Sequence, residues 1–382
     1  LTVNLNKSIK PDKALGYYTF GLNDDYPDTI EQIVLGSVTA KACRDIYARF
    51  LIGSGFESDI NNIVVGKDIK SRDIKVIDIL RHACYSVALN KGFYLHVNYN
   101  VAGEIVSLKP IPFKNCRFQN ADDTGYINKI GVYDNWAKKR GQKFEKDKIN
   151  WIKTYSNVKE VLEAQIINDG GIDKFKGHVY FGFLDNEYIY PLSIFDSVYL
   201  DADTEQQLAI FKNAETRNGL KKKTIITMVE PSNDDEKQEL EAAVTKWLSV
   251  EGDSVITVYG EVNAVTGEVN KSNSIAVDQI ESNIDDKMFE NWQKELSNNI
   301  RKAIKNMPKI LIDYDESNLG GTSGEAIIQA TNLYNAYTQD DRNALSEMFK
   351  DLLSTFDNPI LKANVNWNIK KIELYEAANT KS

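Results

Sequence analysis

Apolar positions along the chain recur first at helical spacing. Between Pro27 and Phe50 the residues Ile30, Ile33, Val34, Val38, Ala42, Ile46 and Phe50 follow steps of three and four, with Pro27 suited to a first helical position. One amphipathic helix is expected there, closed by Gly53. A second is expected from Ser71, a good N-cap, through Ile74, Ile77, Leu80, Cys84 and Val87 to a left-handed stop at Lys91 and Gly92. The period then changes to two. Phe93 to Val97 and Ile105 to Leu108, on either side of Gly103, predict a hairpin whose second strand ends at Pro110 and Pro112. Residues 1–130 read as a mixed helix and strand region.

Further along, a short helix near 157–167 is broken by Gly170 and Gly171, and the aromatic run 178–191, turning at Asp185 and Asn186, predicts a small projecting hairpin. Pro191 opens a long helical pattern that ends at Asn218 and Gly219, about 40 Å at 1.5 Å per residue. A strand at 221–229, a helix from Ser232 and Asp235, and a strand at 254–259 form a β-α-β unit. The polar stretch 260–286 should hold a strand around Ile275 to Val277 and an exposed loop. Ser282 and Asp285 cap the clearest amphipathic helix, with Ile284, Met288, Trp292, Leu296, Ile300, Ala303 and Ile304 on one face and Pro308 at its end. After a loop beginning at Asp313, Thr322 and Glu325 cap a helical stretch reaching Phe356, and 364–369 alternates as a last strand.

Composition narrows the class without naming a function. The 382 residues are 42% hydrophobic and 26% charged, which is globular and leaves no collagen-like or disordered class. No run approaches the ~20 apolar residues of a membrane span, so no membrane partner is expected. The opening segment has no basic region followed by an apolar one, so no secretion signal is read in it. Cys43, Cys84 and Cys116 are odd in number and widely spaced, and are expected as reduced, buried thiols. A net charge of -9 argues against a protein that grips nucleic acid through a basic surface. One stretch runs against that balance: 129–153 holds eight Lys or Arg and three acidic residues, flanked by Trp136 and Trp151. It reads either as a solvated surface or as a docking site for phosphates or an acidic partner, with the tryptophans as core anchors.

Candidate chemistry is sparse. His82, His96 and His178 have no spacing that puts two on one face. No phosphate-binding glycine loop and no Gly-x-Ser-x-Gly elbow occurs, and Gly53-Ser54-Gly55 lacks a third glycine. No catalytic residue, metal or cofactor is assigned. Asp313, Asp315 and Glu316 could bind a divalent cation or act as acid and base, or could simply form a turn. A soluble α/β enzyme or ligand-binding protein with its site at the Asp313 to Glu316 loop therefore stands as an alternative.

The order of the pieces is more informative than any motif. Tyr190-Pro191, the run from Phe211 to Gly219, the β-α-β unit, the polar loop, then 300–312 and Asn318 to Ala326 followed by a long helix resemble tailed-bacteriophage portal proteins of the head-tail connector family. Phe50 to Phe56 and the hairpin ending in Leu108 to Pro112 are similar to the portal wing. A smaller connector protein would share the partners, but the contexts of Met307-Pro308 and Ser323-Gly324 favour a portal. The resemblance implies an α+β, portal-type fold with an α/β wing, long stem helices, a small β clip, a tunnel helix and a short helical crown. It implies wing 1–129 and 219–278, stem 130–168 and 191–218, clip 169–190, tunnel loop and helix 279–306, and crown 307–382.

The same resemblance implies a homo-oligomeric ring of twelve copies at one capsid vertex of the virion, assembled in the host cytoplasm. Double-stranded DNA would pass through it during packaging and ejection, with the large terminase, a head-tail adaptor and the major capsid protein as partners. Lys271, Asn283, Asp285, Lys287 and Arg301 are then expected near the DNA channel. Lys174, Lys176, His178, Asp185 and Asn186 would meet adaptor or terminase at the clip, and Lys138, Lys139, Arg140 and Lys143 would face the capsid. An acidic wall suits a conduit, because every phosphate neutralised by a cation adds friction.

Overall fold

The computed structural model describes residues 8–136, 145–185, 187–217, 223–228, position 238, 275–280, 286–313, 323–363 and 365–374. The chain divides into two compact units, Leu1–Asp203 with Leu296–Ser382, and Thr204–Glu295.

The first unit is built on a mixed six-stranded sheet. Its strands are β5 (Gly92–Tyr99), β6 (Ile105–Ile111), β7 (Cys116–Phe118), β8 (Lys129–Val132), β9 (Asn150–Thr154) and β10 (His178–Phe183), in the order β6-β5-β10-β9-β8-β7. Only the β9/β10 pair is parallel. Two small hairpins form separate sheets against it, β1 (Ile9–Asp12) with β2 (Tyr17–Phe20), tied on by a bridge from Tyr17 to Gln119, and β3 (Val64–Lys67) with β4 (Asp73–Lys75), whose Gly66 lies against the Leu108 carbonyl of β6. Strand β6 runs through Pro110, opposite Leu95, rather than stopping before it. The strand lies at the sheet edge, where the N–H that proline lacks needs no partner.

Helices α1 (Tyr26–Gly36), α2 (Val38–Ile52) and α3 (Val76–Asn90) replace the two expected ones. Apolar spacing is continuous across Ser37, but this residue is extended (φ -93°, ψ 126°) and its Oγ accepts the Ala40 N–H at 3.0 Å, capping α2 and ending α1. Gly53 closes α2 with φ 53°, as expected. Ser71 caps no helix. It has φ 62° in the turn between β3 and β4, and α3 begins at Val76, where Asp78 accepts the Lys75 N–H at 3.1 Å. Lys91, in the left-handed region at φ 55°, is the stop of α3.

The expected free hairpin at 178–191 does not form. Strand β10 pairs with β5 along its whole length, from His178 opposite Val97 to Phe183 opposite Gly92. The other arm is lost because Tyr190 is pulled into the core, stacked on Phe20 and Phe118, its hydroxyl donating to the Tyr18 carbonyl at 2.8 Å and accepting the Phe118 N–H at 2.7 Å. Alternation along β10 then sorts the two faces of the sheet. Phe181 stacks on Tyr94 at 4.6 Å, whereas Gly182 lies under Phe93 and Met348 so closely that a Cβ there would sit 2.4 Å from the Phe93 ring. The anchoring continues past Tyr190: Ser193 Oγ donates to the Leu89 carbonyl at 2.5 Å, residues 194–197 turn, and the long helix starts at Tyr199, not Pro191. This helix, α5 (Tyr199–Arg217), is about 28 Å long. Helix α4 (Lys159–Asn168) precedes β10 and ends before Gly170 and Gly171, both at positive φ, as the glycine pair predicts.

Helix α6 (Asp286–Ala303) ends five residues before Pro308, because Lys305 and Asn306 both turn left-handed. Its last turn buries Ile300 and Ile304, followed by Met307. The stretch expected as one helix to Phe356 is two, α7 (Ser323–Tyr337) and α8 (Gln339–Leu353), separated at Thr338, whose Oγ1 donates to the Tyr334 carbonyl. A single turn, α9 (Pro359–Lys362), follows. Residues 366–370 are extended but make only a bridge, Ile369 opposite Phe56, instead of the expected strand. Trp367 closes it by packing on Phe56.

In the second unit, β11 (Lys223–Met228) pairs antiparallel with β12 (Ile275–Ile280), from Lys223 opposite Ile280 to Met228 opposite Ile275. The expected helix after Ser232, except for position 238, and the strand at 254–259 lie outside the described residues. Phe211 of α5 stacks on Phe289 of α6 at 5.9 Å, beside a hydrogen bond from Lys212 to Gln293.

Candidate functional site

The residues expected at a projecting clip lie in or beside the main sheet. His178 opens β10 and is fully buried. The Tyr99 hydroxyl donates to its Nδ1 at 2.7 Å, and its Nε2–H donates to Gln165 Oε1 of α4 at 2.6 Å. Burial, then Lys153, then His96 pull its pKa down to about 4, so the ring is neutral at pH 7. Lys153 pairs with Asp169 at 2.8 Å and lies over the Phe175 ring. With both ring nitrogens engaged, His178 has no lone pair left for a substrate, and it serves as a joint between α4 and the sheet. His96 Nε2 donates to the Lys176 carbonyl, and Lys176 Nζ donates to Asn150. Lys174 is exposed. Asp185 accepts from Lys91 at 3.0 Å, and the Glu187 N–H and Lys91 hold its carboxyl below the usual range. Asn186 lies outside the described residues.

The expected channel residues are not brought together among the described residues. Lys271, Asn283 and Asp285 lie outside them, and Lys287 is the second residue of α6. Arg301 folds back on its own helix end, donating to the Met307 carbonyl at 3.1 Å and to Asn298 Oδ1. There it satisfies a carbonyl beyond the last helical turn.

Lys138, Lys139, Arg140 and Lys143 also lie outside the described residues. Around that stretch the two tryptophans are core anchors, as expected. Trp136 is buried against Tyr17 and donates its indole N–H to the Asn115 carbonyl at 2.9 Å, and both tryptophans close over Gly131, where a Cβ would come 3.1 Å from each ring. Asp313 is exposed, while Asp315 and Glu316 are outside the described residues. Among the described residues no group of three His, Cys, Asp or Glu could hold a metal ion. All three cysteines are buried and outside any disulfide, as expected.

Two buried arginines escaped the sequence reading, since each is tied to a partner far away in the chain, Arg117 to Asp24 and Arg342 to Phe50. Arg117 of β7 donates from Nε to Asp24 Oδ1 at 2.6 Å, and from its other nitrogens to the carbonyls of Asp24, Lys114 and Cys116. Asp24 sits in a left-handed turn (φ 58°) and also accepts the Phe20 N–H. Burial pushes its carboxyl up against the downward pull of Arg117. Arg342 of α8 donates to the carbonyls of Phe50 and Asn335 and to Thr338 Oγ1. Neighbouring Asp341 is taken by Lys305 at 2.9 Å and by the Tyr47 hydroxyl at 2.6 Å. These contacts clamp α2, the end of α6 and the α7/α8 junction together.

No protein-family model and no curated protein matches the chain. Solved structures do. A chain of the virion of a native gene transfer agent particle is 10% identical, with 87% of this chain and 81% of that one covered at a TM-score of 0.50. The two chains share a fold. An HK97 family phage portal protein from Corynebacterium diphtheriae is 9% identical, with 85% of this chain and 92% of that one covered at a TM-score of 0.46. A chain from the neck of the native gene transfer agent particle, computed with C12 symmetry, gives 10% identity, 86% and 81% coverage and a TM-score of 0.46. The mixed helix and sheet architecture expected from the sequence is the architecture found.

Proposed function

We propose that this chain is a portal-type subunit whose copies close into a ring, twelve by the sequence resemblance, at a capsid vertex. Double-stranded DNA enters and leaves through the ring, terminase drives the packaging, and a head-tail adaptor and the major capsid protein dock on it. The observation that carries this reading is the shared fold with a virion chain across most of both chains.

Within this reading the wing takes 1–129 and the crown 307–382. A stem and clip need a stretch that leaves the main body and returns to it, and Thr204–Glu295 is such an insertion, entered through α5 and left through α6. That assignment moves the clip away from 169–190, whose strand belongs to the six-stranded sheet, and makes α6 a returning stem helix. The test is native mass spectrometry of the purified protein with negative-stain class averages. Closed rings with a central hole are expected, and a monomer at every concentration, with or without capsid protein, overturns the reading. Charge reversal at Lys138, Lys139 and Arg140 should lower incorporation into heads while leaving rings intact.

A further inference from the structure

A groove of about 960 Å³ runs between the extended segment 368–373 and the α7/α8 junction. Two of its features are incomplete in the same place. Arg342 is 5% exposed and lines the groove, yet among the described residues its guanidinium bonds only to neutral oxygens, and burial pulls its pKa down against the opposing pull of Asp341. Asp341 itself is bonded by Lys305 and Tyr47, so it gives Arg342 no direct hydrogen bond. Asn335, 4% exposed, donates to the Ile372 carbonyl at 2.7 Å.

The second feature is a strand edge. Apart from the Ile372 carbonyl held by Asn335, the backbone bonds of the segment run to 54–57: Lys370 N–H to the Gly55 carbonyl at 2.8 Å, Ser54 N–H to the Lys370 carbonyl and Glu57 N–H to the Asn368 carbonyl. By the alternation of an extended chain, the N–H and C=O of Ile369 point the other way, as do those of Lys371, and none of these groups has a backbone partner among the described residues. Lys370, exposed on the rim, makes no ion pair among the described residues, whereas Glu57 is engaged by Asn366 and Lys371 by Glu373.

An extended peptide that carries a carboxylate fits this edge and these cations. We propose that this groove captures such an acidic segment of a partner protein, which adds as a strand along Ile369 and Lys371 and places its carboxylate between Arg342 and Lys370. With Lys371 paired to Glu373, the cations Arg342 and Lys370 outnumber Glu57 in the lining, and that excess selects an acidic partner over a basic one. The inference rests on the groove alone and stands or falls apart from ring assembly.

Fluorescence anisotropy with a labelled peptide of alternating Glu and Thr, and with its Gln and Thr counterpart, tests it on the full chain. Saturable binding of the acidic peptide is expected, weakened about tenfold by Lys370→Glu and about tenfold by Lys371→Pro, which removes an edge N–H at an exposed position. The Gln peptide should bind at least about tenfold more weakly. Circular dichroism of both variants checks that they are folded. Full competition by inorganic phosphate with no effect of Lys371→Pro would mean a simple anion site and overturn the proposal. Failure of the acidic peptide to bind would do the same, as would hydrogen exchange showing the 367–371 edge protected only in step with self-association.

Discussion

Arg117 and Arg342 are both buried and both hydrogen-bonded to carbonyls, but only Arg117 is also hydrogen-bonded to a carboxylate, while Arg342 feels the charge of Asp341 without a bond to it. The Asp24 pair is closed: donors and acceptors from β2, the following turn and β7 use up the guanidinium, and aromatic rings seal it from water. Around Arg342 the same side chain meets neutral oxygens at the wall of an open groove. A buried charge with its counter-ion holds a fold together, whereas one without it marks a surface that is unfinished.

The largest effect should come from opening the closed site. Asp24→Asn leaves Arg117 charged and unpaired in the core, at a cost of about 3 to 5 kcal/mol in urea unfolding. A loss under 1 kcal/mol would show that water reaches the pair. Next comes the other closed joint. His178 is held neutral with a pKa near 4, below the ordinary 6.5, so the unfolded chain binds more protons between those values. Stability is therefore full above pH 6.5 and falls as the pH drops toward 4, by about 2 kcal/mol between pH 7 and pH 5. His178→Gln should remove that slope, and an unchanged slope would move its origin elsewhere.

Smaller effects belong to the open site. Thr338→Val removes one acceptor from Arg342 and should cost about 1 kcal/mol in the same assay. Arg342→Met should stay within about 1 kcal/mol of the parent, since removing an unpaired buried charge offsets the lost hydrogen bonds, yet it should abolish binding of the acidic peptide. A destabilisation as large as that of Asp24→Asn would erase the distinction between the two arginines.

The elements that could be read in advance are those whose signal is local. The caps at Gly53, Lys91 and Gly170 and the hairpin from β5 to β6 follow from spacing and turn chemistry over a few residues, whereas α2 buries Ala40, Cys43, Tyr47 and Leu51 and leaves Val38 of the expected face exposed, and Trp292 of the face expected on α6 is exposed as well. The misreadings occur where distant groups compete. Ser37 cuts a helix whose apolar pattern is continuous, because its hydroxyl caps the backbone at that point, and a second break falls at Thr338, which leaves helical geometry at φ -101° and ψ 2°. The run 178–191 alternates well enough for a hairpin, but Tyr190 gains more by stacking on Phe20 and Phe118 than by pairing with its own strand. Of the candidate site residues, His178 was visible as a histidine but not as a buried one.

By itself the sequence determined the class: a mixed helix and sheet chain, acidic, without a metal or phosphate motif, with an order of elements that resembles that of portal proteins. Periodicity, capping and charge are properties of neighbours in the chain, and they survive without a partner. Only the tertiary structure decided that β10 lies inside a sheet, that Asp24 meets Arg117, and that Arg342 meets no carboxylate. Each depends on segments 70 to 300 positions apart, and it is burial from water that makes their pairing, or its absence, count in free energy.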